Sequence, residues 1–395
     1  MESLKILHIT PFFYGGVGTV AYSLTKEFAK IGCEVILTTP AEVPLELKNF
    51  TKRYYTLLKP SLKDPFYSFQ FYILNKERIK KIIELEKPDV ILTHGPLVAI
   101  AKNIKTIPVF SIVHGTYANE IKWMRYHPIP GLSKIKYIIG IYTTHYHDTT
   151  LYKSIMQHDN VYLIAVSKKT KKELINAGIP SNRVFTILNG VYKERFKPLN
   201  KDFARALIED KFKVCLKDKV ILHINPGPRK GTHTLIRAVA ILERFYGENF
   251  TLLIAGRLGP KSYKEHIENI IEILKLKSVK LLGYVEDEIL PILYNTADLT
   301  VVSSYSEGSP LVIPESLACK VPVVATNVGG NSEYLELVHL KSLIIEIMQY
   351  DFSKELALKI LETFTISNSK DINNDNLPSW NEITMKYYEV IRNLT

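Results

Sequence analysis

Residues 5–39 read KILHITPFFYGGVGTVAYSLTKEFAKIGCEVILTT. An apolar run from Lys5 to Thr10 leads into a loop from Pro11 to Gly16. Val17, Val20, Ala21, Leu24, Phe28 and Ile31 then recur at helical spacing. Gly32 stops that helix, and Glu34 to Thr39 reads as a second strand. The stretch is therefore a βαβ unit with glycines Gly15, Gly16 and Gly18 in its first connection. Such glycines let backbone N–H groups and a helix N-terminus approach a phosphate closely. The full G-x-G-x-x-G spacing is missing, and Thr38 and Thr39 end the second strand where a dinucleotide fold places an acid. That argues against a NAD-type dehydrogenase.

The rhythm continues on both sides of the chain's midpoint. Strands are expected at Asp89–Thr93, Pro108–Val113, Val161–Val166 and Val184–Leu188, and after Pro198 the series restarts. Strands at Lys219–Ile224, Thr251–Ala255, Val279–Leu282, Leu299–Val302 and Pro322–Ala325 alternate with helices at Thr232–Leu242, Tyr263–Leu274 and Leu311–Cys319. Two such series in 395 residues imply an α/β protein of two parallel-sheet, Rossmann-like domains. The expected division is 1–198, 199–378 and a terminal helix 379–395, with a hinge near Phe196–Asp202. The polar run Ser367–Asn376 reads as a surface loop. Thr116–Asn160 breaks the rhythm with aromatics among lysines and histidines. It reads either as a helical insertion packed on its own domain or as an acceptor-binding or membrane-surface element.

Composition narrows the classes. Hydrophobic residues make up 46% and charged ones 23%, an ordinary globular balance that can bury two cores. Cys33, Cys215 and Cys319 lie far apart in no metal-ligand spacing and read as reduced packing residues. The chain enters its first strand without a signal-like run and holds no apolar stretch long enough for a membrane span, so a cytoplasmic protein is expected. A net charge of +11 draws anions, either phosphates or an anionic membrane face, whereas no arginine-rich block or RNP-like motif supports nucleic acid.

Two motifs carry chemistry in the second half. Pro226-Gly227-Pro228-Arg229-Lys230-Gly231 follows a strand and precedes a helix, and its adjacent cations suit a diphosphate that gains charge as a bond breaks. Ser303 to Cys319 reads SSYSEGSPLVIPESLAC, with Glu307 just past a strand and Glu315 on the next helix. Carboxylates in such apolar company need hydroxylated or cationic partners. The backbone of Gly308, Ser309, Pro310 and Leu311 opens that helix and can meet sugar hydroxyls or phosphate.

On these residues the chain resembles the retaining GT-B glycosyltransferases of family 4, a group that includes mannosyl- and glucosyltransferases of glycan and lipid assembly. The resemblance runs through Ala165-Val166-Ser167, Leu188-Asn189-Gly190-Val191, Phe196 and Pro198, Lys230-Gly231, Ala255-Gly256, Gly283-Tyr284-Val285, Ala297-Asp298, Pro322 to Thr326, Val328-Gly329-Gly330 and Ser379-Trp380. It implies a UDP- or GDP-sugar donor, a glycan or lipid-linked acceptor, and no cofactor or metal. Glu315 would hold the ribose, Glu307 and the Gly308–Leu311 backbone the transferred sugar, and Lys230 with Arg229 the diphosphate. Gly15, Gly16, Asn225 and Gly256 would line the donor, and His114 would lie near the sugar. Three positions depart from the family pattern. Asn225 stands where an arginine is usual, Tyr192 where an aspartate is, and Ser309 where a phenylalanine is. A phosphorylase or nucleotide-sugar epimerase on the same architecture, or a catalytically silent sugar-nucleotide-binding homologue, remain the competing expectations.

Overall fold

The computed structural model describes residues 3–61, 66–247, 249–366 and 372–395. They form two compact units. The first holds residues up to 118, 139–190 and 379–395; the second holds 119–138 and 191–378.

In the first unit the strands are β1 (Lys5–Ile9), β2 (Glu34–Thr39), β3 (Arg53–Thr56), β4 (Val90–His94), β5 (Val109–Val113), β6 (Val161–Ala165) and β7 (Val184–Thr186). They pair in parallel in the order β3-β2-β1-β4-β5-β6-β7. β4 and β5 are buried throughout because helices cover both faces, which is why they read as continuous apolar runs. Helix Gly15–Lys30 starts earlier than the sequence suggests: Gly15 and Gly16 lie in its first turn, not in the loop before it. Gly18 folds that turn so tightly against the Phe13 backbone that a Cβ would collide with it.

In the second unit the strands are β8 (Lys219–Ile224), β9 (Phe250–Ala255), β10 (Val279–Gly283), β11 (Leu299–Val302), β12 (Val323–Thr326) and β13 (Ile344–Ile345), all parallel in the order β10-β9-β8-β11-β12-β13. Ile221, Leu252, Ile254, Val301 and Val324 centre its core, with Leu235, Val239 and Ile360 from the covering helices. Asp298 locks the start of the sheet by accepting from Val220 N at 2.7 Å and from Lys201 and Arg205.

The contact division departs from the linear expectation at two places. It changes units at Gly190, and it assigns 119–138 to the second unit, where Trp123 joins the core and His127 packs on Tyr305 and Tyr350. The closing segment 379–395 belongs to the first unit. There a Cβ on Gly190 would come within 2.7 Å of Trp380 N, so this glycine permits the backbone approach that seats helix Trp380–Arg392. The expected loop 367–376 lies outside the described residues over 367–371. Cys33 and Cys319 are buried, but Cys215 is exposed, which corrects its reading as a packing residue: it follows the left-handed end of helix Lys201–Phe212 in a surface connection.

Candidate active site

The second unit gathers its site at the C-terminal ends of β8 and β11, neighbours in the sheet. Tyr305 N donates to Arg229 O at 2.8 Å, and Ser303 Oγ donates to Lys230 O at 3.0 Å, so the two loops are laced together. Gly231 sits where they meet, with φ +65° and a Cβ position occupied by the Ser303 carbonyl. No other residue fits there.

That lacing delivers both cations to Glu307. Lys230 Nζ lies 2.5 Å from Glu307 Oε1, Arg229 reaches Oε2 at 3.3 Å and the Ser306 carbonyl at 2.5 Å, and Ser304 Oγ donates to Oε1 at 2.6 Å. Burial alone raises the Glu307 pKa, but the Lys230 and Arg229 charges with the Lys230 and Ser304 hydrogen bonds outweigh it and hold the carboxyl at about 2. Glu307 is therefore a carboxylate at neutral pH. Arg229 keeps its charge although burial opposes it, held by Glu307 and by the Glu120 carboxylate of the 119–138 segment. Of the two cations on Glu307, Arg229 is the more exposed, at 42% of its side chain against 19% for Lys230.

Behind Glu307, Gly330 N donates to Gly308 O at 2.7 Å, and a side chain on Gly329 would strike the carbonyls of Glu307 and Gly308. Val328-Gly329-Gly330 thus supports the Glu307–Gly308 backbone. Ser309, where the family pattern has a phenylalanine, is buried with its hydroxyl 2.7 Å from Tyr334 Oη. Pro310 is buried, and Leu311 caps a helix that runs Val312–Ala318, one residue shorter at each end than expected. Glu315 on that helix accepts from Tyr294 Oη at 2.7 Å. Burial pushes its pKa up to about 7, against the Tyr294 hydrogen bond and the Arg195 charge.

Asn225 directly follows β8 with φ +58°, a left-handed conformation asparagine tolerates, and donates N–H to Ala255 O at 2.8 Å. Its side chain is exposed. Gly256 (φ +122°) lies beside it, leaving room for the Pro226 ring.

Gly15, Gly16 and His114 belong to the first unit. Gly15 needs its φ of +65°, but among the described residues a Cβ on Gly16 would meet nothing within 4 Å, so no contact with them explains that glycine. His114 follows β5 and joins a row that sequence reading missed: His94 Nδ1 is 2.7 Å from His114 Nε2, and His94 Nε2 is 2.8 Å from His8 Nε2. A signal was present, since His94-Gly95 and His114-Gly115 close two consecutive strands. Ser304, Tyr294 and Glu120 were also missed, each being an ordinary polar residue until the fold places it beside a carboxylate or cation.

Two family models match, glycosyltransferase family 4 over residues 14–195 and glycosyl transferases group 1 over 205–362. An uncharacterized glycosyltransferase of Methanocaldococcus jannaschii is 25% identical over 344 residues, covering 84% of this chain and 83% of that protein. The D-inositol 3-phosphate glycosyltransferase of Salinispora tropica is 33% identical over 180 residues, 42% of this chain and 37% of its own length. Anabaena Alr3699/HepE, solved with UDP and glucose, superposes with a TM-score of 0.73 at 20% identity, covering 98% of this chain and 99% of that one. With its two parallel sheets the chain has the GT-B fold. It belongs to the GT-B glycosyltransferases of the group 1/family 4 type.

Proposed function

We propose that this glycosyltransferase moves a hexose-type sugar from a nucleotide-sugar donor to an acceptor hydroxyl, with retention at the anomeric carbon and without a metal. The observation that carries the reading is the laced loop pair that presents Lys230 and Arg229 beside an ionised Glu307. In the step proposed, the bond from the anomeric carbon to the diphosphate oxygen breaks. Negative charge gathers on the departing diphosphate, where Lys230 and Arg229 meet it. The acceptor oxygen bonds to the anomeric carbon on the face being vacated, and its proton passes to the departing phosphate. Neither glutamate then serves as a nucleophile: Glu307 and the Gly308–Leu311 backbone hold the sugar, and Glu315 holds the ribose. The open position at Gly16 leaves space for donor phosphates on the first unit.

The HepE complexes with UDP and UDP-glucose support a UDP-linked donor, with GDP-linked sugars next in line. For the acceptor, helix Gly131–Ile155 exposes Leu132, Ile135, Ile139, Tyr142 and Tyr146 at alternating three- and four-residue spacing, and Lys136 on the helix and Lys122 and Arg125 shortly before it in sequence are also exposed. That combination supports a lipid-linked acceptor met at an anionic membrane face, on the cytoplasmic side. No helix among the described residues is long and apolar enough to cross the membrane.

Incubating the protein with UDP- and GDP-sugars and an acceptor panel, with product stereochemistry read by NMR and EDTA as control, tests this. Transfer with retained configuration and no EDTA effect is expected. Sugar release dependent on inorganic phosphate would indicate a phosphorylase, C-epimerised donor an epimerase, and binding without turnover across the panel a silent homologue.

A further inference from the structure

The row of imidazoles in the first unit has a direction, and that direction follows from one hydroxyl. Thr25 Oγ1 lies 2.8 Å from the Ala21 carbonyl oxygen within helix Gly15–Lys30 and donates its proton there. Its oxygen is also 2.8 Å from His8 Nδ1, and with its hydrogen committed it can only accept. His8 therefore carries its proton on Nδ1, leaving Nε2 bare. His94 Nε2 faces that lone pair at 2.8 Å, a separation that requires a hydrogen between the two nitrogens, so His94 is protonated on Nε2. The bare Nδ1 of His94 must then accept from His114 Nε2 at 2.7 Å. This leaves His114 Nδ1 with a lone pair and, among the described residues, no protein donor.

These tautomers require neutral rings. Burial supplies this, lowering His8 to about 3 and His114 to about 4 and lowering His94 well below its ordinary value, where its neighbours His114 and His8 add to the effect. Register explains why these three residues meet: β1 pairs with β4 and β4 with β5, so side chains at His8, at His94 closing β4 and at His114 just past β5 share one side of the sheet's C-terminal end.

We propose that Thr25, His8 and His94 are positioning residues that hold His114 in its Nε2–H tautomer, so that His114 Nδ1 is a fixed acceptor for a hydroxyl of a sugar bound at this end of the first unit's sheet. The inference rests on the reading of His114 as a residue beside the transferred sugar. It adds a specificity rule. The position facing His114 must carry a hydrogen-bond donor, so a hexose with its hydroxyl replaced by fluorine or methoxy there is rejected, because neither group can donate.

Nitrogen-15 NMR of the histidine rings in the full chain reads the tautomers directly and needs no variant. The expected pattern is Nδ1–H on His8 and Nε2–H on both His94 and His114. Thr25→Val keeps the shape and removes the acceptor. It is expected to populate the Nδ1–H form of His114 and to lower kcat/KM by about ten-fold, the effect of one substrate hydrogen bond, without changing the affinity for nucleoside diphosphate alone. Thr25→Ser should restore both the tautomers and the rate. A wild-type His114 protonated on Nδ1 overturns the tautomer assignment, as does a Thr25→Val chain whose tautomers are unchanged. A switched tautomer with unchanged kinetics overturns the functional role. His114→Phe separates the underlying reading: unaltered turnover there removes His114 from the site, whatever its tautomer.

Discussion

Glu307 is the residue on which the site's electrostatics turn. Its carboxyl is held at about 2, with burial opposing and the Lys230 and Arg229 charges prevailing. Because the folded pKa lies below that of an unfolded glutamate, the stabilisation is full above about pH 4.5 and is lost as pH falls towards 2. Lys230→Ala leaves a buried carboxylate with only Arg229 and Ser304. It should cost roughly 3 kcal/mol of stability, the low end for breaking a buried pair, and at least about ten-fold in kcat/KM. Urea melts and steady-state kinetics check the two separately; unchanged kinetics in a folded variant would remove Lys230 from the site. Glu315 runs the other way. Burial raises its pKa to about 7, so in the ribose-holding role proposed for it Glu315 accepts effectively only as pH rises through 7, and donor affinity should weaken as pH falls below that value. The same shift makes its ionisation unfavourable in the folded chain, so stability falls between about pH 4.5 and 7. Glu315→Gln should remove both dependences, melting higher than the parent at pH 8 while binding donor more weakly. A donor affinity flat from pH 6 to 8 in the parent chain would contradict this. Sequence motifs revealed the charged members of the site because paired glutamates and adjacent cations are unusual in apolar stretches. Tyr294 and the Thr25–His8–His94 chain were hidden because their partners sit on other elements, and Ser304 because nothing in the sequence says that a serine three residues before Glu307 turns its hydroxyl onto that carboxylate.

At the scale of elements, glycines divide into those the fold needs and those it does not. Gly231 fills the seam between the loops after β8 and β11, so Gly231→Ala should be severely destabilising. Gly16 has open space around it, so Gly16→Ala should melt within a degree or two of the parent, yet weaken donor binding if donor phosphates approach there. Calorimetry of both variants with and without donor makes the comparison; unaltered donor affinity in Gly16→Ala would exclude Gly16 from the donor site. The buried central strands were legible because parallel strands covered on both faces are apolar throughout. β3 and β13 were not: Arg53–Thr56 is a largely exposed edge strand and Ile344–Ile345 is two residues long, too short for any periodicity. A helical insertion was one of the two readings open for Thr116–Asn160, but helix Gly131–Ile155 could not be delimited within it because it leaves an apolar stripe exposed and so lacks the polar outer face by which surface helices are recognised.

For the whole molecule, the doubling of the βαβ series made the two-sheet architecture readable. The exchange of 119–138 into the second unit was not, because it depends on Trp123 and His127 finding an aromatic nest made by Tyr305 and Tyr350, far along the chain. The excess of 51 Lys and Arg over 40 Asp and Glu belongs to this scale too. Together with the stripe on Gly131–Ile155 it predicts sedimentation with anionic vesicles at low salt, reduced by about 0.5 M salt and by Ile135→Glu with Ile139→Glu, while neutral vesicles bind weakly. Equal recovery in the supernatant with anionic and with no vesicles would contradict it. The central claim, that a nucleotide-sugar is bound through the Lys230–Glu307 centre, is tested most directly by thermal unfolding against UDP-, GDP- and ADP-sugars, in the parent chain and in Lys230→Ala. A ligand at 100 times its Kd adds about 2.7 kcal/mol to the folded state, so one donor series should raise the parent's melting temperature by several degrees and Lys230→Ala by little. No shift with any nucleotide-sugar, or an equal shift in both proteins, would contradict the account.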